Sequence, residues 1–235
     1  MTAAAERPGR SGRPASNAAA AVDFSLYLVT GRRGIPGGRG LLDAVREALE
    51  GGVGAVQLRE KDLPPRDLLP LALELRDLTR RHGARLLVND RVDVALAAGA
   101  DGVHLAATSL PVAAVRRITG PGFLVGVSTH SVAEVLEAEA AGADFVTFGP
   151  VYPTPSKARY GPPVGLGPLR EACRRAALPV FALGGVKAAN VAEVLEAGAA
   201  GVALISAVLW APRPAEAARA FARLLGDRPA PTGSS

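Results

Sequence analysis

The chain has 235 residues, enough for one sizeable hydrophobic core and few for two, so a single domain is expected. Hydrophobic residues make up 49%, but they are mostly Ala, Val and Leu broken by charges, and no run reaches the roughly 18 apolar residues of a membrane span. Of the formal net charge of +5, two charges sit in an Ala/Pro/Gly/Ser-rich start (Arg7, Arg10 and Arg13 against Glu6), and the others are scattered among acids on helical faces, which excludes a phosphate-tracking nucleic-acid surface.

Residues 1–22 read as a disordered tail, because their composition cannot build a core. The first strand is Ser25-Leu-Tyr-Leu-Val29, followed by a helical pattern over 40–51. Four segments then share Gly-x-x-x-Val-x-Leu/Phe after alanine-rich helical runs, starting at Gly52, Gly99, Gly142 and Gly198. Each reads as a helix C-cap running into a buried strand. Their spacings of 47, 43 and 56 residues are about twice a βα unit, so one further strand is expected in each gap. Leu86-Leu-Val-Asn89, Phe123-Leu-Val-Gly-Val-Ser128 and Val180-Phe-Ala-Leu-Gly184 fill the gaps. With helical patterns near 65–82, 92–98, 111–119, 131–141, 166–177, 189–197 and 214–225, eight alternating units predict an α/β chain forming a single (β/α)8 TIM barrel over residues 23–226. An open doubly wound sheet is the runner-up, but no Gly-x-Gly-x-x-Gly follows the first strand. Residues 227–235 read as a second disordered tail. Cys173, in the helix-like LREACRRAAL, has no partner for an internal disulfide. It reads as a buried, inert thiol, which fits a reducing compartment and a cytoplasmic location.

A barrel predicts chemistry at the C-terminal ends of its strands. In the second strand Gln57, Arg59 and Lys61 alternate with Val56, Leu58 and Glu60, so a period of two puts an amide, a guanidinium and an ammonium on one face, an anion site at the mouth. The third strand ends in Asn89-Asp90, an amide beside a hard oxygen ligand suited to Mg²⁺, although Asn-Asp alone is ordinary turn chemistry. The seventh and eighth strands end in Gly184-Gly185 and Ile205-Ser206-Ala207 just before helices, where close backbone N–H groups favour phosphate. After the sixth strand, GPVYPTPSKARYGPP (149–163) carries five prolines that restrict its backbone. There Thr154, Ser156 and Lys157 offer two hydroxyls and a charge to phosphate oxygens, so the loop is expected to close over anions. His104 and His130 lie near strand ends without an evident acid-base partner and read as structural.

Six motifs in order, VQLREKD (56–62), LLVNDRVDVALAAGADGVHL (86–105), GVSTHS (126–131), FGPVYPTPSK (148–157), LGGV (183–186) and ALISAV (203–208), resemble those of thiamine phosphate synthase across about residues 25–225. The resemblance implies that a hydroxymethylpyrimidine diphosphate is joined to a thiazole phosphate, which carries a carboxylate in the expected form, with release of pyrophosphate and with Mg²⁺ as cofactor. It further implies that Gln57, Arg59, Lys61, Asn89, Ser128 and Lys157 contact the pyrimidine diphosphate, with Arg59, Lys61 and Lys157 as its catalytic cations. Asp90 then binds Mg²⁺, and Thr154, Ser156, Gly185, Ile205 and Ser206 hold the thiazole phosphate. One departure stands out: the family usually has Gly-Gln-x-Asp after His104-Leu105, the aspartate being a second Mg²⁺ ligand, where this chain reads Ala106-Ala107-Thr108-Ser109. Ser109 or water is expected in that coordination position, with weaker metal binding. The chain is also similar to the thiazole tautomerase branch, but Lys61, Asp90 and Pro150 favour the synthase. A barrel that binds thiamine phosphates without turnover is the third reading. The partners expected are small molecules; a homo-oligomer is left open.

Overall fold

The computed structural model describes residues 22–154 and 162–226. Eight parallel strands, β1 (Leu26–Val29), β2 (Ala55–Leu58), β3 (Arg85–Asn89), β4 (Gly102–Leu105), β5 (Leu124–Thr129), β6 (Phe145–Phe148), β7 (Val180–Leu183) and β8 (Gly201–Leu204), pair in sequence order and close with β8 against β1. The helices around them are α1 (Leu41–Glu50), α2 (Pro65–Arg81), α3 (Val92–Ala97), α4 (Val112–Ile118), α5 (Val132–Ala140), α6 (Leu166–Arg175), α7 (Val191–Glu196), α8 (Ser206–Leu209) and α9 (Pro214–Leu225). This is the expected TIM barrel. The four-residue α8 is an addition, too short to leave a periodic signal.

The alternation of each strand divides the interior in two. Leu26 and Leu28 of β1, Val56 and Leu58 of β2, and Val103 and Leu105 of β4 face outward into the layer shared with the helices. Helix α2 meets that layer with Leu68, Ala72, Leu75 and Leu78, spaced four, three and three residues apart as a helical stripe requires. The residues between them point into the barrel, where Phe24, Tyr27, Phe145 and Phe181 form a plug with ring centroids 5.3 to 6.3 Å apart. Such tilted and edge-on contacts suit aromatic quadrupoles and fill the barrel floor.

The repeated glycines have a shared cause. Gly52, Gly99, Gly142 and Gly198 all take positive φ, from 61° to 100°, where the helix ends and the chain turns into the next strand. Two of the repeats add an aspartate. Asp101 accepts the Leu86 N–H at 2.7 Å and pairs with Arg76 of α2; Asp144 accepts the Val125 N–H at 2.6 Å and pairs with Arg116 of α4. Each of these carboxylates latches a strand to a helix at the end of the barrel opposite the candidate chemistry. Cys173 is half-buried rather than fully buried, and burial still pushes its thiol up to about 11, which leaves it unreactive.

Candidate functional site

Above the aromatic floor lies a polar layer that the sequence did not reveal. Gln57, expected at the mouth, is only 3% exposed inside the barrel, where its Nε2 donates to the Tyr27 hydroxyl at 3.0 Å. The Tyr27 hydroxyl lies 3.3 Å from His104 Nδ1, and His104 Nε2 lies 3.0 Å from Ser128 Oγ and 3.4 Å from Thr147 Oγ1. His104 therefore joins two of the expected ligand residues, whereas His130 matches its structural reading by hydrogen bonding the Gly149 carbonyl. Burial pushes the His104 imidazole down to about 3, with the nearby Arg59 charge adding to the effect, and burial drives the Tyr27 phenol well above its usual range.

A pH dependence follows. His104 is neutral when folded but takes up a proton near pH 6.5 when unfolded, so the unfolded state binds more protons between pH 6.5 and 3. Stability is therefore expected to fall as pH drops through that window. Denaturant midpoints between pH 7 and 4 should show a shallower slope for His104→Gln than for the native chain; equal slopes would show that His104 does not contribute.

Arg59 and Lys61 do not extend the strand period of Gln57, because β2 stops at Leu58. Instead the Arg59 N–H donates to the buried Thr30 hydroxyl at 2.8 Å, which ties the start of the β2 loop to the end of β1. Glu60 turns inward, 6% exposed, and accepts from both the backbone N–H and the guanidinium of Arg32. Arg32 also pairs with Asp62, and that hydrogen bond holds the Asp62 carboxyl down at about 2. Lys61 is left exposed on a cleft of about 240 Å³, which it lines together with Asn89, Asp90, Thr108 and Glu60. The ends of β2, β3 and β4 thus bring Lys61, Asn89 and Asp90 to one place.

Asp90 has a φ of 65°, the sole left-handed non-glycine residue among those described. The Arg91 N–H reaches the Asn89 carbonyl at 2.7 Å and the Val92 N–H reaches the Asp90 carbonyl at 3.1 Å, so two successive γ-turns hold it. Its carboxylate is exposed and makes no hydrogen bond or ion pair among the described residues. A single exposed hard oxygen fits Mg²⁺ that keeps several waters and shares a ligand's phosphates, whereas no group of three His, Cys, Asp or Glu side chains able to form an all-protein cage is found among the described residues. Ser109 is already engaged: its Oγ accepts the Ala106 N–H at 2.8 Å and closes the turn after β4.

The opposite side of the mouth is built from backbone. Val151 and Tyr152 extend the ladder onto β7, their N–H groups reaching the Leu183 and Gly184 carbonyls at 2.9 and 3.0 Å. At Gly185, φ is 68° and an added Cβ would fall 2.6 Å from the Tyr152 Cβ and 2.8 Å from the Pro153 oxygen. The proline-rich loop therefore lies directly on Gly185 just before Thr154. Helix α7 starts only at Val191, because Asn190 first closes a turn onto the Lys187 N–H, so loop backbone rather than a helix start follows Gly185. Ile205 packs beside Gly31, and Ser206 opens α8. Ser156 and Lys157 lie outside the described residues.

A closed eight-stranded barrel with an ammonium, an amide and a carboxylate on one cleft at its mouth and a glycine corner at the other side defines a TIM-barrel protein with a polar site at the C-terminal ends of its strands. The family profile for thiamine monophosphate synthase matches residues 26–208, and the chain belongs to that family. A Geobacter sulfurreducens protein that bears the thiamine-phosphate synthase name provisionally is 60% identical over 209 residues, 89% of this chain and 98% of that one. The thiamine-phosphate synthase of Methanoculleus marisnigri is 52% identical over 186 residues, covering 79% of this chain and 88% of its own. Among solved structures, a thiamine phosphate pyrophosphorylase from Pyrococcus furiosus superposes with a TM-score of 0.78 at 39% identity, covering 86% of this chain and 95% of that one.

Proposed function

We propose that residues 23–226 form a single catalytic barrel that condenses 4-amino-2-methyl-5-hydroxymethylpyrimidine diphosphate with a carboxylated thiazole phosphate, giving thiamine phosphate, pyrophosphate and carbon dioxide. The observation that carries this is the meeting of Lys61, Asn89 and Asp90 on one cleft, next to Arg59, in a chain of this family. The C–O bond to the diphosphate breaks with its electron pair leaving on pyrophosphate, the thiazole nitrogen forms the new C–N bond, and the ring carbon–carboxylate bond breaks to release carbon dioxide, its electron pair staying on the ring carbon, which takes up a proton. Such a reaction needs charge stabilisation and orientation rather than a nucleophilic side chain. Arg59, Lys61 and Lys157 stabilise the departing anion. Asn89, Gln57 and Ser128 orient the pyrimidine diphosphate, while Thr154, Ser156, Gly185, Ile205 and Ser206 hold the thiazole phosphate. Asp90 would hold Mg²⁺, which when bound neutralises charge on the diphosphate oxygens. We place the activity in the cytoplasm, where a lone cysteine such as Cys173 stays a thiol.

The test is to mix the protein with the pyrimidine diphosphate, the carboxylated thiazole phosphate and Mg²⁺ and to measure thiamine phosphate and pyrophosphate, both rising in equal amounts. Absence of product with this thiazole and with its decarboxylated form would sink the synthase reading; binding without turnover would leave a barrel that only holds thiamine phosphates.

A further inference from the structure

We infer that Tyr27 and His104 are positioning residues that fix, through one directional hydrogen-bond chain, which polar atoms Gln57 and Ser128 present to the aminopyrimidine ring. The ring itself rests on the synthase reading above; the direction of the chain does not. The chain runs across the barrel from β2 through β1 and β4 to β5: Gln57 Nε2 to Tyr27 hydroxyl 3.0 Å, Tyr27 hydroxyl to His104 Nδ1 3.3 Å, His104 Nε2 to Ser128 Oγ 3.0 Å. Tyr27 is 0% and His104 2% exposed, so both act through their neighbours.

Counting donors sets the direction. The Gln57 Nε2 can only donate, so the Tyr27 oxygen accepts there. The Tyr27 hydrogen then goes to His104 Nδ1, which requires the proton of the neutral imidazole to sit on Nε2. That Nε2–H donates to Ser128 Oγ, with Thr147 Oγ1 as the longer partner. With Gln57 Nε2 on the Tyr27 oxygen, the other tautomer leaves the Tyr27 hydrogen without an acceptor in a fully buried place, where an orphaned donor keeps its whole desolvation penalty; that tautomer suits only a flipped Gln57 amide. Once Ser128 Oγ accepts from His104, the Ser128 hydrogen is the one left to donate to a ligand. With Gln57 Nε2 on the Tyr27 oxygen, the Gln57 Oε1 remains the acceptor. A donor and an acceptor of fixed polarity match the edge of a 4-aminopyrimidine, whose ring nitrogen accepts and whose amino group donates. A 4-oxopyrimidine presents the reverse order along the same edge and meets like against like. The chain would therefore serve as the device that selects the amino ring, since a polar partner left unpaired discriminates far more strongly than a missing methylene.

Two measurements decide it. NMR on the ligand-free, full-length protein with labelled histidine should show His104 as the Nε2–H tautomer, assigned by loss of its signals in His104→Gln; an Nδ1–H tautomer would reverse the chain and overturn the inference. In steady-state kinetics, Tyr27→Phe should raise KM for the aminopyrimidine diphosphate about tenfold, the loss of one hydrogen bond, with kcat and the KM for thiazole phosphate within about twofold. His104→Leu should behave like Tyr27→Phe, whereas His104→Gln, whose amide nitrogen can stand in for Nε2, should recover most of the loss. A folded Tyr27→Phe protein with unchanged KM for the pyrimidine diphosphate would refute the positioning role. A native chain with no turnover would strike only the synthase reading, since the tautomer is measured without substrate.

Discussion

Arg59→Ala is expected to lower turnover by about 10² to 10³ while leaving the thermal midpoint nearly unchanged, since removal of one group that stabilises developing charge costs that much in rate. The two effects separate because of how the residue is held. Its backbone is anchored by the bond from its N–H to Thr30, which the substitution keeps, while its side chain is half-exposed and takes part in no ion pair among the described residues. Steady-state turnover at saturating substrates, alongside a melting curve, checks both halves. A folded variant with native turnover would remove Arg59 from the chemistry.

The second large effect falls on Asp90. Asp90→Asn keeps a residue that tolerates left-handed φ and removes the charge, so it is expected to raise the Mg²⁺ concentration for half-maximal rate at least tenfold or to abolish the reaction, with thiazole phosphate binding intact. Asp90→Gly should lose the metal equally yet melt higher, because a non-glycine residue in strained backbone costs on the order of 1 kcal/mol. A protein that gains stability as it loses activity would mark Asp90 as kept for function. Ser109→Asp should move the Mg²⁺ requirement the other way. Two opposite charges about 4 Å apart gain roughly 4 kcal/mol at an effective dielectric near 20 before desolvation is subtracted, and an aspartate can still accept the Ala106 N–H that Ser109 accepts. Titrating Mg²⁺ in the three variants is the measurement; if none of the curves shifts, diphosphate and water alone hold the metal.

The barrel was legible because its signals are local. A glycine at each helix end and an alternating strand after it recur four times, and all four glycines take the positive φ their position demands. The eight expected strands and the helices from 40 to 225 lie close to where the pattern put them. Residues at strand ends were legible as a set, since a barrel gathers them whatever their contacts, which is how Lys61, Asn89 and Asp90 come to share a cleft. What could not be read was depth. Gln57 looks like a neighbour of Arg59 in sequence, but its partner is Tyr27, thirty residues earlier on another strand. His104 looks structural in sequence for the same reason: Tyr27 and Ser128 come to it only through barrel closure. The inward-facing Tyr in the first strand's alternation was the available signal for a polar group within the barrel.

The Arg32 web bears on how an anion first arrives. Glu60 and Asp62 flank Lys61 in the chain and would, left alone, cancel the positive charge beside them; both are instead paired with guanidiniums from the preceding βα loop, Arg32 at 2.8 Å from each and Arg33 at 2.8 Å from Asp62. With Mg²⁺ on Asp90, Arg59 and Lys61 would then keep a positive field that reaches about a Debye length, about 8 Å at physiological ionic strength, and the encounter with a multiply charged diphosphate is expected to be steered rather than random. Long-range capture is thus expected to depend on Arg32 and Arg33 in the β1 loop, far in sequence from the two cations whose reach they extend.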